Sequence, residues 1–476
     1  MKKIKFLTAI AVGALAVGAT ATLTSCGGFE GVMIWGPIEH QELYLAAVDA
    51  FKKANPEFTA EVRYAGSGDA GAYAAMAIDP QNGGSIVTFP NDQLINLKRI
   101  GALAPLSTEN TAWIKENNDS TACEAGKISE KYYAYPISAD NGYVLTYNAD
   151  AFKDTAVWDS TTQDLKAGYT FRDLYTALDE RGAQTGHEKW ANGLAIWPEG
   201  SAWYESGMFF GTGGDYSVTY DDKGVQTSAS CNFNGDIGTK ATRCMVNSFT
   251  NTDGSINKHF MYTDDSNPAY NDTVTKYINE SDTEAMKTPL AAIVTWNNGA
   301  LKKGWGENYR ATVLPTLEDK AEFYGAANQG DGIKYTWKTF AGFKLMGVNP
   351  FSTFASKSEE NLSMLHKLAK YLSDSEVSLA RFKATSLGPS NKTAQKDAAV
   401  QADKFLKALS TQYNLNDGQG CRVQDPTPSA YWTPIATYGK GLFDAVQNGT
   451  KGTYDTIANV KRALNQLQAD IQSTTK

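Results

Sequence analysis

Acidic side chains near the ends of predicted strands are the residues best placed to do chemistry in this sequence. They are Glu39, Asp92, Asp140, Glu199 and Glu205. Two carboxyl groups about 5–9 Å apart across a scissile bond would make a glycoside hydrolase. Ionised carboxylates also accept hydrogen bonds from sugar hydroxyl groups without any reaction. Sequence spacing gives no distance between these groups, so an acid pair and a set of acceptors both stay open.

Aromatic side chains lie near the same strand ends. Packing in the core is the ordinary role of any one of them, but the apolar faces of sugar rings also stack on aromatic planes. Together with the acids they predict a cleft that receives a ligand with flat faces and a hydroxyl rim. They are Phe89, Trp203, Tyr204, Trp296, Tyr431 and Trp432.

The segment 66–71, Gly-Ser-Gly-Asp-Ala-Gly, matches the glycine pattern of dinucleotide sites. It follows the second predicted strand rather than the first, and the next strand lacks an acidic residue at the required offset. We interpret it as a loop at the carboxyl end of a parallel strand, where α/β proteins bind ligands, and Ser67 becomes a candidate contact. The sequence has no pattern for an activated nucleophile or a phosphate loop, and its four histidines are scattered. We therefore predict a protein that is not an enzyme, with no cofactor and no metal site.

Strands and helices alternate through the first third of the chain. Residues 31–36 predict a buried strand, residues 42–55 an amphipathic helix that ends before Pro56, and residues 58–64 a second strand. A crossover of this length makes the two strands parallel. Further strands are predicted at 85–89, 132–137, 143–147, 290–296 and 311–314, and the C-terminal quarter is mostly helical. This pattern predicts an α/β fold of two lobes with the chain crossing between them.

The composition excludes one class of partner. The chain has 476 residues, 42% hydrophobic and 20% charged, with a formal net charge of −8. Such a chain can bury a large core. A nucleic-acid partner would require a basic face, which this balance argues against.

The N-terminus has the pattern of an export signal. Lys2, Lys3 and Lys5 precede an uncharged run over 6–22, and Leu-Thr-Ser-Cys follows at 23–26. This tetrapeptide resembles the bacterial lipobox, so we predict that residues 1–25 are removed and that Cys26 is lipidated. Two acyl chains would anchor the protein to a membrane, outside the cytoplasm.

Four cysteines remain after this processing: Cys123, Cys231, Cys244 and Cys421. An exported compartment permits disulfides, and Cys231 and Cys244 are close enough in sequence to close a short loop. Buried free thiols would fit the same pattern, so both readings stay open.

Several segments, in this order, resemble the solute-binding proteins of ABC importers, in the maltose-binding-like branch. The most specific is Tyr-Ala-Tyr-Pro-Ile at 133–137 followed by Leu-Thr-Tyr-Asn at 145–148. The others lie at 32–36, 50–56, 85–92, 101–106, 291–297, 313–316, 340–343, 387–390 and 429–432. The resemblance covers nearly the whole mature chain.

The resemblance implies a two-lobe fold of the periplasmic-binding-protein type II class, with interleaved lobes and a hinge of crossing strands. It implies a first lobe of residues 29–138 and 315–348 and a second lobe of 142–312 and 352–476. The crossings are expected near 137–141, 313–316 and 347–352. Polar stretches at 217–236 and 250–272 resemble insertions.

The resemblance also implies solute contacts at particular positions. In the first lobe these are Glu39, His40, Phe89 and Asp92, with either Asp140 or Asn141 after the Tyr-Pro motif. In the second lobe they are Trp203, Tyr204, either Trp296 or Asn297, and Trp432, with Tyr431 beside it. Gln93, His40 and Ser201 replace an Arg, a Lys and an acid of the maltodextrin binders, which argues against maltose itself.

The implied function is capture of a carbohydrate between the lobes by a lipid-anchored monomer, which delivers it to the permease subunits of the importer. A non-sugar solute such as a polyamine is the main alternative, because acids and aromatics also suit a cation. A surface glycoside hydrolase is the alternative from another class.

Overall fold

The computed structural model describes residues 29–67, 71–183, 194–195, 202–221, 223–260, 291–294, 298–423, 427, 429–449 and 451–473. The signal segment and Cys26 lie outside these residues. The strands are β1 Val32–Gly36, β2 Val62–Gly66, β3 Ile86–Pro90, β4 Lys127–Ile128, β5 Lys131–Tyr132, β6 Ala134–Asn141, β7 Val144–Asn148, β8 Trp158–Asp159, β9 Asp164–Leu165, β10 Leu194–Ala195, β11 Tyr216–Tyr220, β12 Gln226–Cys231, β13 Ala291–Val294, β14 Tyr309–Thr312, β15 Leu317–Asp319, β16 Ile333–Tyr335, β17 Thr339–Val348 and β18 Cys421–Val423.

The helices fall between and after these strands. They are α1 Gln41–Ala54, α2 Gly71–Ile78, α3 Leu94–Arg99, α4 Thr108–Asn117, α5 Ser120–Glu124, α6 Phe171–Gly182, α7 Trp203–Gly211, α8 Gly235–Phe249, α9 Asn298–Trp305, α10 Glu359–Leu372, α11 Ser375–Thr385, α12 Lys392–Gln395, α13 Ala398–Ala402, α14 Lys404–Tyr413, α15 Leu415–Gly418, α16 Ser429–Asn448 and α17 Ile457–Gln472.

The first lobe is built on a sheet with the strand order β18-β17-β3-β1-β2, and β6 also pairs with β17. β1 lies parallel to β2, with Val32 opposite Val62, and parallel to β3, with Ile34 opposite Ile86. The parallel pair expected from the sequence is therefore confirmed. β17 runs antiparallel to β3 and β6.

Alternation along β1 gives this sheet a core on each face. Val32 and Ile34 lie in one cluster with Tyr44 and Phe51 of α1 and with residues of α10. Met33 and Trp35 lie in the other cluster, with residues of α2 and α3. Successive side chains of a strand point to opposite faces, so a strand buried on both faces reads as a continuous apolar run.

The second lobe is built on the sheet β10-β13-β7-β14. Leu145 and Tyr147 of β7 join a large core with residues of α6, α7, α8, α16 and α17. Val144 joins a smaller cluster on the other side, with residues of α9 and α14. Helices on both faces of a sheet are the layered architecture that the sequence pattern predicted.

Within the residues that the structure describes, the chain passes between the two cores three times. The first passage follows Ile137 in β6, because Tyr143 already packs in the second core. The second lies within β17, between Phe340 in the second core and Phe343 in the first. The third lies between α11, which packs in the first core through Val377, and α14.

This packing differs from the lobe division expected from the sequence. Residues 317–337 pack in the second core, where Leu317, Tyr324 and Trp337 are buried. The helix α10 covers a face of the first sheet through Leu365 and Leu368. The second and third crossings therefore lie later in the chain than 313–316 and 347–352.

A hairpin of β11 and β12 occupies most of the stretch 217–236, which the sequence suggested as an insertion. Its tip reaches the first lobe. Tyr220 packs against the first-lobe cluster that contains Ile95. Gly224 has a φ of 79°, and a Cβ there would lie 3.2 Å from Ile95 Cδ1 and 3.0 Å from Arg99 Cγ. The hairpin therefore bridges the lobes away from the crossing strands.

The four cysteines are free thiols: Cys123, Cys231 and Cys244 are buried, and Cys421 is half-buried. The second of the two readings left open by the sequence is therefore the correct one. Burial raises the pKa of Cys123 and Cys231 to about 12, so neither thiol is reactive at neutral pH. Within the part of the chain that the structure describes, no helix has the length and apolar composition to cross a bilayer.

Candidate functional site

The carboxyl ends of β1, β2 and β3 bring several predicted residues to one edge of the first sheet. Glu39 and His40 follow β1, Ser67 follows β2 and Asp92 follows β3. The first two loops are joined, because the Ser67 N–H donates to the Gly36 carbonyl at 2.8 Å. Ligand sites of α/β sheets lie outside this edge of the strands.

These residues differ in how much of them a solute could reach. Glu39 is exposed, whereas His40 is buried with its ring edge-on to Tyr44, 5.8 Å between centroids. Ser67 is buried, and its hydroxyl has no hydrogen-bond partner among the described residues.

Asp92 is a half-buried residue with one buried and unpartnered carboxylate oxygen. Its Oδ1 is buried and has no hydrogen-bond partner among the described residues. Oδ2 accepts a long hydrogen bond from Gln93 Nε2 at 3.5 Å. Burial raises the pKa of Asp92 to about 6, although the positive charge of Lys344 opposes this shift.

Phe89 corrects an expectation from the sequence. Its side chain is 0% exposed and lies in the first-lobe core with Trp35 and Leu345. Gly347 of the neighbouring strand leaves the space that this ring occupies, since a Cβ there would lie 3.0 Å from Phe89 Cε1. Phe89 is therefore a core residue that supports the β3 end and not a surface on which a solute stacks.

The carboxylate of Asp140 is hydrogen-bonded within the chain. It is buried at the end of β6, and Oδ2 accepts a hydrogen bond from the Gly388 N–H at 2.6 Å. The Ala139 N–H donates back to the Gly388 carbonyl at 3.2 Å. Burial raises the pKa of Asp140, and the bond from Gly388 opposes this shift. Asn141 is also buried and pairs with Gly342 of β17, so this pair holds the passage between the lobes.

Two tryptophans form the aromatic surface of the second lobe. Trp203 begins α7 and Trp432 lies in α16; their rings are stacked with centroids 6.0 Å apart and planes within 11°. Phe340 is edge-on to both, at 5.1 Å and 5.8 Å. Both tryptophans are half-buried, which leaves part of each indole open to a ligand.

Their neighbours Tyr204 and Tyr431 are core residues. Tyr204 is buried edge-on to Tyr143 at 4.8 Å. Tyr431 is buried against Tyr216 at 4.3 Å, and its hydroxyl donates to Ser206 Oγ at 3.0 Å. The buried carboxylate of Glu205 packs against Gly439 of α16. Trp296, Asn297 and Glu199, the remaining candidates, lie outside the described residues.

β17 links the two sides of the site. Phe340 belongs to the tryptophan cluster, and three residues later the Phe343 N–H donates to Asn91 Oδ1, next to Asp92, at 3.0 Å. Three residues of a strand span about 10 Å. The aromatic surface of the second lobe and the segment that holds Asp92 therefore contact the same crossing strand, about 10 Å apart along it.

Sequence reasoning did not identify Lys344 or Phe340 as site residues. Lys344 is half-buried on β17. Its positive charge lowers the pKa of both Asp92 and Asp140, against the larger effect of burial. The apolar run of β17 predicts a buried strand, but nothing local in it tells which strands it pairs with.

The sequence profile of the family described as "Bacterial extracellular solute-binding protein" matches residues 46–408. A search of curated proteins gave no match. Solved structures share the fold. One solved with acarbose has a TM-score of 0.68 and 23% identity, covering 94% of this chain and 100% of the other.

Two further solved structures show the same likeness. The maltodextrin-binding protein MalE1 from L. casei BL23, without ligand, has a TM-score of 0.66 and 20% identity, with 93% and 98% of the two chains covered. MalX from Streptococcus pneumoniae, in complex with maltopentaose, has a TM-score of 0.62 and 17% identity, with 92% and 99% covered.

Proposed function

Because this chain belongs to the bacterial extracellular solute-binding proteins, we propose that it captures an oligosaccharide between its two lobes and delivers it to the permease of an ABC importer. One observation carries the choice of sugar: the half-buried indoles of Trp203 and Trp432 stack in parallel beside β17, the crossing strand that also contacts the segment holding Asp92. Similar folds solved with maltopentaose and acarbose support this substrate class.

The chemistry of the two surfaces suits the two parts of a sugar. The apolar face of a pyranose ring stacks on an indole, while its hydroxyl groups need acceptors at the rim. The exposed Glu39 supplies such an acceptor, and the half-buried Asp92 lies at the same sheet edge. A solute that touches both lobes favours the closed state by the difference in its affinity for the open and closed forms.

A polyamine is the second candidate solute, and the charges near Asp92 argue against it. Lys344 acts on both Asp92 and Asp140, and the buried Arg381 guanidinium donates to the Ile137 carbonyl in the same region. A polycation would have to bind beside Lys344, whose positive charge already acts on Asp92. A neutral, hydroxyl-rich solute meets no such repulsion.

A surface glycoside hydrolase is disfavoured on the same geometry. Its mechanism needs two free carboxyl groups facing one scissile bond. Asp140 is committed to Gly388, which leaves Asp92 as the one half-buried candidate acid described next to the crossing strands.

The lipid anchor is part of the proposal. We infer that Cys26 carries the anchor, because Leu-Thr-Ser-Cys follows an uncharged export segment. The mature protein then acts as a monomer at the outer face of a membrane, next to the permease.

Isothermal titration calorimetry tests the choice of solute. The mature chain is titrated with malto-oligosaccharides and other oligosaccharides, and separately with spermidine. We expect an oligosaccharide to bind wild type and to bind Trp432→Ala more weakly, while Trp113→Ala, a half-buried tryptophan of the first lobe, leaves binding unchanged. Tight spermidine binding with no sugar binding would overturn the carbohydrate assignment.

A further inference from the structure

The folded body begins very close to the proposed anchor. Phe29, three residues after Cys26, already packs against the first-lobe core, with the Arg63 guanidinium 4.2 Å from its ring centroid. The next residue, Glu30, forms an ion pair with Lys357 at 2.7 Å. The Val32 N–H then donates to the Glu61 carbonyl at 2.8 Å.

This start limits how far the body can stand from a lipidated cysteine. Three residues of fully extended chain span at most about 11 Å. The lipid of a modified Cys26 would be held at the boundary between headgroups and acyl chains. Phe29 would then lie within that reach of the membrane surface, with no long linker between them.

Phe29 also fixes which part of the body is nearest. It lies at the edge where β1, β2 and β3 begin, opposite the edge that carries Glu39 and Asp92. Phe29 lines one crevice with Asn82 and Thr353. The Thr353 N–H in turn donates to the Gln81 carbonyl at 3.2 Å, so the loops before β3 and after β17 form one surface with the N-terminus. We call this surface the amino edge: residues 29–31, 78–85 and 349–357.

The amino edge combines exposed apolar side chains with paired charges. Ile78 is 87% exposed and Phe351 is 45% exposed. Three ion pairs lie on and beside this edge, whereas Asp79 accepts hydrogen bonds from Asn82. These ion pairs are Lys357–Glu30 at 2.7 Å, Arg63–Glu61 at 2.7 Å and Lys367–Glu57 at 3.0 Å.

Two exposed apolar side chains on an edge whose charges are mostly paired suit the boundary of a lipid bilayer. Exposed large apolar side chains gain free energy when they leave water for that boundary. An acidic surface would instead be repelled by anionic lipids. Here Glu30, Glu57 and Glu61 are matched by basic partners, although the whole chain has a net charge of −8.

We propose that the amino edge of the first lobe rests on the membrane, held there by the short segment after Cys26, with Ile78 and Phe351 entering the interfacial region. While the protein is not docked on the permease, the edge that carries the solute site then faces away from the bilayer. This orientation rests on the lipid anchor of the proposed function and goes beyond it, because an anchor alone fixes no face.

Fluorescence quenching on vesicles tests the orientation. The full-length lipoprotein, with the half-buried Cys421 replaced by Ser, carries one fluorophore at Gln81→Cys or at Ile38→Cys. It is reconstituted in phosphatidylethanolamine–phosphatidylglycerol vesicles whose headgroups carry a nitroxide. We expect severalfold stronger quenching at position 81, on the amino edge, than at position 38, which follows β1 on the opposite edge.

Two further sets of variants test whether the short segment after Cys26 and the two exposed apolar side chains cause this orientation. A spacer of roughly 12 Gly and Ser residues after Gly28, with a mean reach of about 20 Å, should remove most of the difference. The pair Ile78→Ser and Phe351→Ser should weaken quenching at position 81 without changing solute affinity. The matched control pair is Val225→Ser and Ile333→Ser, whose side chains are 45% and 48% exposed in the second lobe. This pair should leave the quenching at position 81 unchanged.

Mass spectrometry of the N-terminal peptide separates the two claims. A peptide without the diacylglyceryl group would overturn the anchor and the orientation together and leave solute capture standing. A lipidated protein with equal quenching at both positions would overturn the orientation alone.

Discussion

Trp203 and Trp432 each have a tyrosine next to them in the sequence, and in both cases the tryptophan stays half-open while the tyrosine is buried. Both pairs lie on helices, where neighbouring residues point about 100° apart. The tyrosine of each pair therefore faces the core, and the tryptophan lies at the edge of the core. The aromatic pairs were visible in the sequence; which member stays open depends on how each helix packs.

The first prediction concerns Trp432. Replacing it with Ala should weaken oligosaccharide binding by at least about 1 kcal/mol, because a stacking surface is removed. Its contacts with Trp203 and Phe340 predict a smaller loss of stability. Calorimetry and urea unfolding of the empty protein measure the two effects, with Trp113→Ala as the control. A stability loss larger than the affinity loss would make Trp432 a core residue.

The raised pKa of Asp92 predicts a pH dependence. A carboxyl group whose pKa is about 6 in the folded protein and near 3.8 in the unfolded chain favours folding at low pH, and this benefit is lost as the pH rises through 6. Asp92→Asn should therefore raise the free energy of unfolding at pH 8, relative to wild type, by roughly 1–3 kcal/mol more than at pH 4.

Urea unfolding at the two pH values measures this difference. Glu39→Gln is the control, because Glu39 is exposed. An equal effect of Asp92→Asn at both pH values would contradict the proposed cost of ionising a buried carboxylate.

Among the elements, the local pattern predicted the strands of the first sheet well. Apolar runs and alternation gave β1, the helix α1 and the β1–β2 pairing. The family resemblance put the second and third crossings too early. The second crossing lies within β17, which pairs with β3 and β6, more than 200 residues away. Local periodicity carries no information about such partners. The same limit applies to Phe89, whose burial is set by Gly347 across the sheet.

The crossing next to β6 gives a prediction for Asp140. Asp140→Ala would leave the buried Gly388 N–H without its acceptor and the Lys344 and Arg381 charges less balanced. We expect a loss of about 2–4 kcal/mol in stability of the empty protein. Asp140→Asn keeps an oxygen acceptor and should lose less. Unchanged stability, with lost sugar binding, would instead make Asp140 a solute contact.

For the whole molecule, the two lobes and the three connections described between them allow closure around a solute. The hairpin tip at Gly224 adds a contact with α3 away from these connections. Any change in the angle between the lobes must move this contact as well as the crossing strands.

Closure predicts two effects of a bound oligosaccharide. The radius of gyration from small-angle X-ray scattering should fall, and a solute at about 100 times its Kd should stabilise the protein by about 2.7 kcal/mol. Trp432→Ala at the same solute concentration should show less of both. Stabilisation without any change in the radius of gyration would mean that the lobes already stand closed in the empty protein.

The interleaved cores also bear on biogenesis. The cluster that holds Val32 and Ile34 is completed by Leu365, Leu368 and Leu372, more than 300 residues later. Contacts of such long sequence separation form late and slowly. A chain that leaves the cytoplasm N-terminus first therefore cannot finish either half before most of it has been threaded through the translocation channel. Its own topology keeps it unfolded for as long as passage requires.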